Sequence, residues 1–137
     1  MQELLRQYLF LIPLVVLVAS EITKLAVSYL KTGSWHEKFF HPGGFPSSHS
    51  AFVTSLLIIV WRRLGPDSAE FAIAFCFACI VWYDAIFARR ELGIRAHTLN
   101  RLQHWEKLRE RLGHSFAEVL GGIGFGAAVT ILGISLS

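Results

Sequence analysis

The chain has 137 residues, 53% of them hydrophobic and only 17% charged, with a formal net charge of +3. That length holds one domain, and the apolar excess with a positive mean hydropathy excludes an ordinary soluble domain of this size. The charge is too small to argue for nucleic acid, and basic residues set beside apolar runs point instead to anionic lipid.

The first residues, MQELLRQYLF, lead into an apolar run with no small-residue cleavage site, so a retained first helix is expected from about Tyr8 to Leu30. Glu21 and Lys24 lie in its second half, where charges are costly unless paired or functional; Glu21 can neutralise Lys24, three residues on. A loop rich in Gly, Pro and His, from Lys31 to Ser47, precedes a second helix from about Ser48 to Leu64. That helix is short against the roughly 20 residues a bilayer requires. Gly65 and Pro66 stop it, and Asp67 or Ser68 can cap a third helix running to about Ala88. Cys76 and Cys79 fall inside this third helix, away from the solvent-accessible helix start a redox pair needs, and read as small packing residues.

The basic stretch from Arg89 to Gly113 comes next. In its second half Leu99, Leu102, Trp105, Leu108 and Leu112 recur at helical spacing opposite Arg101, Lys107 and Arg111, which predicts an interfacial amphipathic helix. A fourth apolar helix is expected from about Ser115 to Leu136. Trp35, Trp61, Trp82 and Trp105 all fall near segment ends, as interfacial aromatics do. The expected fold is therefore an all-α integral membrane bundle of four transmembrane helices plus one interfacial amphipathic helix, a single domain over residues 1–137. With four antiparallel spans, the end of helix one, the start of two, the end of three and the start of four share a membrane face. Glu21, Lys24, the PSSHS segment, Asp84, Arg89, Arg90, His114 and Glu118 all land there.

Two motifs on that face carry chemistry. In HPGGFPSSHSAF, Gly43 and Gly44 permit an unusual backbone path, Pro46 suits a helix run-in, and Ser47 or Ser48 can cap the helix. Its first-turn N–H groups and two hydroxyls make an anion site that His49 can reach. The competing reading is a capped helix start with an incidental His. In LGHSFAEVLGG, His114 and Glu118 are four residues apart on one helix face, and a carboxylate holding one imidazole nitrogen makes the other a better nucleophile or base. The competing reading is a polar pair joining helices. The same face continues through Gly122 and Gly126, a GxxxG that admits a second helix closely. Arg89 and Arg90 are interfacial anchors by default, or a phosphate clamp beside the anion site. His36, His41, His49, His97, His104 and His114 form neither a tight ligand pair on one helix face nor an HExxH, so no catalytic metal is expected.

GGFPSSHSA, YDAIFARRELGIRAHTLN and LGHSFAEVLGG, in this order, resemble the three signatures of the divergent branch of the type 2 phosphatidic acid phosphatase superfamily, a superfamily that also contains the vanadium-dependent haloperoxidases. The resemblance runs from about Lys24 to Gly126. It implies a metal- and cofactor-independent lipid phosphate phosphatase that works through a phosphohistidine. Lys24 matches the phosphate-binding Lys of the first motif, and Lys31 its second basic residue, without the Pro that normally follows. Pro46, Ser47, Ser48 and His49 match Pro-Ser-Gly-His, with Ser in place of Gly; Ser47 and Ser48 would bind phosphate and His49 would protonate the leaving alcohol. His114 would be the nucleophile, with Glu118 in place of the usual Asp. The phosphate-binding Arg, normally just before that His, corresponds to Arg89 or Arg90, more than twenty residues earlier. The branch tends to have Gln where Glu21 stands.

Excluding Arg89 and Arg90, Lys and Arg number seven on the site side against three on the other, which puts the site on the cytoplasmic face and both termini outside. The expected setting is a bacterial inner membrane or an organellar membrane. The expected partners are the bilayer and a phospholipid substrate, with phosphatidylglycerophosphate favoured and Arg95, Lys38 or Lys31 near its headgroup. Phosphatidic acid and polyprenyl diphosphate come next. A non-catalytic lipid-phosphate carrier or flippase and a membrane scaffold are the alternatives of another class. Assembly as a homo-oligomer is left open.

Overall fold

The computed structural model describes residues 11–33, 44–105, 107, 108, 110 and 114–135. Every regular element among these is helical: α1 (Leu11–Thr32), α2 (Ser48–Leu64), α3 (Ala69–Tyr83), α4 (Arg89–Leu102) and α5 (Phe116–Ser135). Each has a local cause. The Gly33 N–H closes α1 on the Tyr29 carbonyl at 2.8 Å. At the far end of α2 the Gly65 N–H bonds the Trp61 carbonyl, with Arg62 and Arg63 in the last turn facing the negative helix end. Of the two capping candidates for α3, Ser68 does the work, its hydroxyl accepting from the Phe71 N–H at 3.2 Å.

The third apolar run does not end at Ala88. Residues Asp84–Ala88 form a single wide π-helical turn, and the helix then continues as α4. The continuous rod Ala69–Leu102 has 34 residues, about 50 Å at 1.5 Å per residue and well beyond a ~30 Å hydrocarbon core. The amphipathic helix expected around Leu99 to Leu112 is corrected accordingly. Helix occupies the first half of the basic stretch, and Gln103 turns extended. The Asn100 amide explains the stop. Its Nδ2 donates to the Leu108 carbonyl and its Oδ1 accepts from the Leu108 N–H, both at 2.8 Å, so the chain folds back rather than coiling on. Leu112 and Arg111 lie outside the described residues.

Packing is inverted relative to a water-soluble bundle. α2 sits at the centre, touching α1, α3 and α5. Its inward side chains are small and often hydroxylated: Ser48, Ser50, Ala51, Thr54 and Ser55 are all buried. Many large apolar residues face outward, with Ile73 70% and Leu132 61% exposed while Ser55 and Thr130 are fully buried. In water that arrangement would forfeit the hydrophobic driving force; in lipid, close approach of small residues and interhelical hydrogen bonds hold helices together. Cys76 and Cys79 are free and exposed on α3. They belong to the outward face and do not fill the core as expected.

The α2–α5 seam shows the principle. A Cβ on Gly122 would strike the Ser47 carbonyl oxygen, and one on Gly126 would strike the Ala51 carbonyl and lie 2.7 Å from Ala51 Cα. One turn on, Thr130 donates to Ser55 Oγ at 2.7 Å. Residue numbers rise together along this seam, so α2 and α5 run parallel and their N-terminal ends meet. Three described helices, Leu11–Leu30 within α1, Ala69–Leu102 and Phe116–Ser135, are long and apolar enough to cross a membrane.

Candidate active site

Where α2 and α5 begin, four segments are tied together by hydrogen bonds. From α1, Lys24 Nζ reaches Glu21 Oε1 at 2.9 Å and Ser48 Oγ at 2.7 Å, while the Ser48 hydroxyl also bonds Glu21 Oε1. The three side chains close a small ring across the α1–α2 contact. The Lys24 side chain is 14% exposed, an ammonium held against the bundle rather than extended to an interface. Gly44 lies against the Lys24 stem at φ +99°, a conformation that glycine makes accessible.

Ser47 and Ser48 are both buried at the start of α2. Ser47 is the cap residue, yet its hydroxyl does not cap; it pairs with Ser50 Oγ at 3.0 Å. The first-turn N–H groups of α2 therefore take no bond from the Ser47 side chain and keep their positive end for another acceptor. The Ser47 N–H is bound to the Glu118 carbonyl at 3.0 Å, which fastens this turn to α5. His49, between buried Ser48 and Ser50, is exposed.

His114 is buried just ahead of α5. Its backbone N–H donates to the Ala85 carbonyl at 3.1 Å, inside the π-helical turn. Its ring Nδ1 lies 3.0 Å from Glu118 Oε2. A carboxylate accepts only, so Nδ1 carries the hydrogen and Nε2 keeps its lone pair. Glu118 is fixed in turn: the Ser115 N–H donates to the same Oε2 at 3.0 Å, and Ser115 Oγ accepts from the Glu118 N–H at 3.2 Å. This is a capping box. Ser115 is thus a part of the site that the four-residue His–Glu spacing does not reveal, although Ser-x-x-Glu ahead of an apolar run is its signature. Burial lowers the His114 pKa below its usual 6.5; Glu118 opposes that shift, and the positive charges of Lys24 and Arg89 reinforce it.

Arg89 closes the ring from the α3–α4 rod. Across the wide turn its Nε donates to Asp84 Oδ2 at 2.8 Å. Its charge and that of Lys24 reach both His49 and His114, and the two histidines lie within electrostatic reach of each other. Arg90 and Arg95 are exposed on α4, without a comparable tie. Lys31 belongs to α1 but its side chain is outside the described set, and Lys38 lies outside the described residues altogether. Among the described residues, no three His, Cys, Asp or Glu side chains gather as a metal-ligand set.

The arrangement offers two cations, first-turn N–H groups and hydroxyls beside a buried imidazole with one free nitrogen. Comparisons with known proteins agree with the sequence resemblance. The membrane protein YuiD of Bacillus subtilis (strain 168), described as uncharacterized, is 30% identical over an alignment covering 95% of this chain and 96% of that protein. No solved structure matches the chain significantly. The inverted packing, the apolar helices and that relative make this a membrane protein. The Divergent PAP2 family matches residues 5–129, nearly the whole chain, and the protein belongs to that family.

Proposed function

We propose that the protein is a lipid phosphate phosphatase with four membrane crossings, in which α2 is the fourth. At 17 residues α2 is about 26 Å long, but α1, α3 and α5 surround it, so its short span meets protein rather than lipid. The observation that carries the reading is the oriented His114: Nδ1 is held by Glu118 and Nε2 is left for attack, on a helix start fastened to the Lys24–Ser48 turn by the Ser47 N–H to Glu118 carbonyl bond.

In the proposed reaction Lys24, Arg89 and the Ser47–Ser48 turn hold the equatorial phosphoryl oxygens, and His114 Nε2 attacks phosphorus in line. The N–P bond forms as the ester P–O bond breaks, and His49 gives its proton to the departing alkoxide. Neutral His49 then takes a proton from water as the water oxygen attacks phosphorus, which releases phosphate and restores His114. Arg89 suits the clamp better than Arg90 because Asp84 fixes its guanidinium. Phosphatidylglycerophosphate is the favoured substrate. A basic surround on the cytoplasmic side, including Arg90, Arg95 and Arg101, would concentrate such a lipid at the interface.

Purified protein in detergent should release phosphate from phosphatidylglycerophosphate faster than from phosphatidic acid or polyprenyl diphosphate. His114→Ala and His49→Ala should each abolish release while the protein stays monodisperse. Full turnover by His114→Ala, or no release from any lipid phosphate by the wild type, sinks the reading; the second result leaves a carrier or scaffold.

A further inference from the structure

We infer that Glu21 makes this anion site selective for a tetrahedral anion that brings its own proton. A singly protonated phosphate group is accepted, and a fully deprotonated anion of similar shape, such as sulfate, is turned away. The inference rests on the phosphate-binding role proposed above for Lys24 and Ser48.

The reason lies in who can donate. Lys24 has three N–H donors; one goes to Glu21 Oε1 at 2.9 Å and one to Ser48 Oγ at 2.7 Å, leaving one. Ser48 gives its single O–H to the same Glu21 oxygen. An oxyanion arriving at Lys24 and Ser48 therefore meets a carboxylate that accepts and cannot give. Unprotonated oxygens of the anion also only accept, so the two would face each other as like charges with no hydrogen between them. A phosphate that carries one O–H can place it on Glu21, converting that repulsion into a charge-assisted hydrogen bond. Displacing Glu21 is the costly alternative, because it would break the Lys24 ion pair at a largely buried ammonium.

The inner charges point the same way. Lys24 and Arg89 supply two positive charges, and Glu21, Asp84 and Glu118 supply three carboxylates, all joined through contacts to the cations or to His114. Even with His49 carrying the proton it gives to the leaving group, three positive charges meet three negative ones, and that inner set does not balance a dianion. The basic residues that favour multiply charged lipids stand outside it, on α4. Attraction at the interface and acceptance in the site are thus separate tasks, and Glu21 performs the second.

Calorimetric titration of the full-length detergent-purified protein with inorganic phosphate and with sulfate, at slightly acid pH, tests this. Phosphate should bind, and sulfate should bind at least about tenfold more weakly. Glu21→Gln, which keeps the shape and adds an N–H donor, should narrow the ratio to about twofold. Sulfate binding as tightly as phosphate to the wild type overturns the inference, and unaltered lipid turnover in the same preparation would leave the phosphatase reading standing. Selectivity that survives in Glu21→Gln overturns it as well. Failure to bind either anion also overturns it, and if turnover is absent too, the phosphatase reading falls with it.

Discussion

The α2–α5 seam and the α4 arm with its returning chain are held by opposite means. Along the seam the two helix backbones meet with no space to spare at Gly122 on Ser47 and Gly126 on Ala51, and side chains meet at Thr130 on Ser55. Among the described residues of the arm only Gly93 and Ala96 are buried, and side-chain hydrogen bonds hold the fold, with Asp84 on Arg89, Asn100 on Leu108, and Glu110 on both Asn100 and His97. At the glycine positions of the seam, close packing tolerates no added atom. Hydrogen bonds tolerate bulk nearby but fail when one partner is changed. His114 is gripped from both sides, its ring by Glu118 of α5 and its backbone by Ala85 of the rod that leads into the arm.

The largest effect should come from breaking the grip on the ring. Glu118→Gln can present the wrong hydrogen-bonding partner to Nδ1, and by analogy with other oriented histidines kcat should fall about 10²–10⁴-fold. The pH profile separates a catalytic from a merely structural effect. His114 must be neutral to attack, so activity is lost as pH falls through its pKa. Because that pKa is lowered from 6.5, the acid limb of the wild type should lie below 6.5. Glu118 is what raises it, so the residual activity of Glu118→Gln should show an acid limb lower still. A limb that stays put in the variant contradicts the assignment of that limb to His114.

Substitutions within the seam come next. Gly126→Ala and Gly124→Ala are the same change in the same helix. A Cβ at Gly126 meets Ala51 backbone, whereas one at Gly124 meets nothing within 4 Å. Gly126→Ala should lower unfolding stability by about 1–3 kcal/mol, and Gly124→Ala should leave it unchanged or raise it by a few tenths to about 1 kcal/mol. Thermal unfolding in one detergent measures both. Equal shifts would mean that the seam is not as close as described.

These two regions also differ in how far the sequence reveals them. The seam is legible because its constraint is local: GxxxG on one helix declares a close approach whatever the partner. The gathering of Lys24, Ser48, Asp84 and His114 follows from helix order, since polar groups in a lipid-facing bundle have only the shared end to occupy. The arm resists reading because its determinants are distant in sequence. Nothing around Ala85 announces that its carbonyl will receive the His114 N–H, and nothing around Leu99 announces that Asn100 will stop the helix by taking Leu108. Apolar spacing from Leu99 to Leu112 suggests a helix because periodicity carries no information about a side chain competing for the backbone. The outward turn of Cys76 and Cys79 has a similar origin: in lipid, a small apolar residue is stable on either side of a helix.

The smallest effect expected is at the tip of the arm. Asn100→Ala removes both part-buried bonds to Leu108, each of which contributes about 1 kcal/mol or less, together with an exposed bond to Glu110. Global unfolding should hardly move, but the Leu108 N–H should lose protection in hydrogen exchange, and kcat should fall only a few-fold because Ala85 and Glu118 still hold His114. Acid should not release the wild-type chain in the same way. The hydrogen bond from Asn100, with further help from His97, lowers the Glu110 pKa below its usual 4.5. A depressed carboxyl stabilises the folded form above its unfolded pKa, and that contribution is lost only as pH falls through the lower folded value. Protection at Leu108, corrected for intrinsic exchange, should therefore be level from pH 8 to about pH 5 and absent throughout in Asn100→Ala. Protection that persists in Asn100→Ala would instead assign the hold to the His97–Glu110 contact. The arm would then be fastened by its ion pair and not by the Asn100 amide.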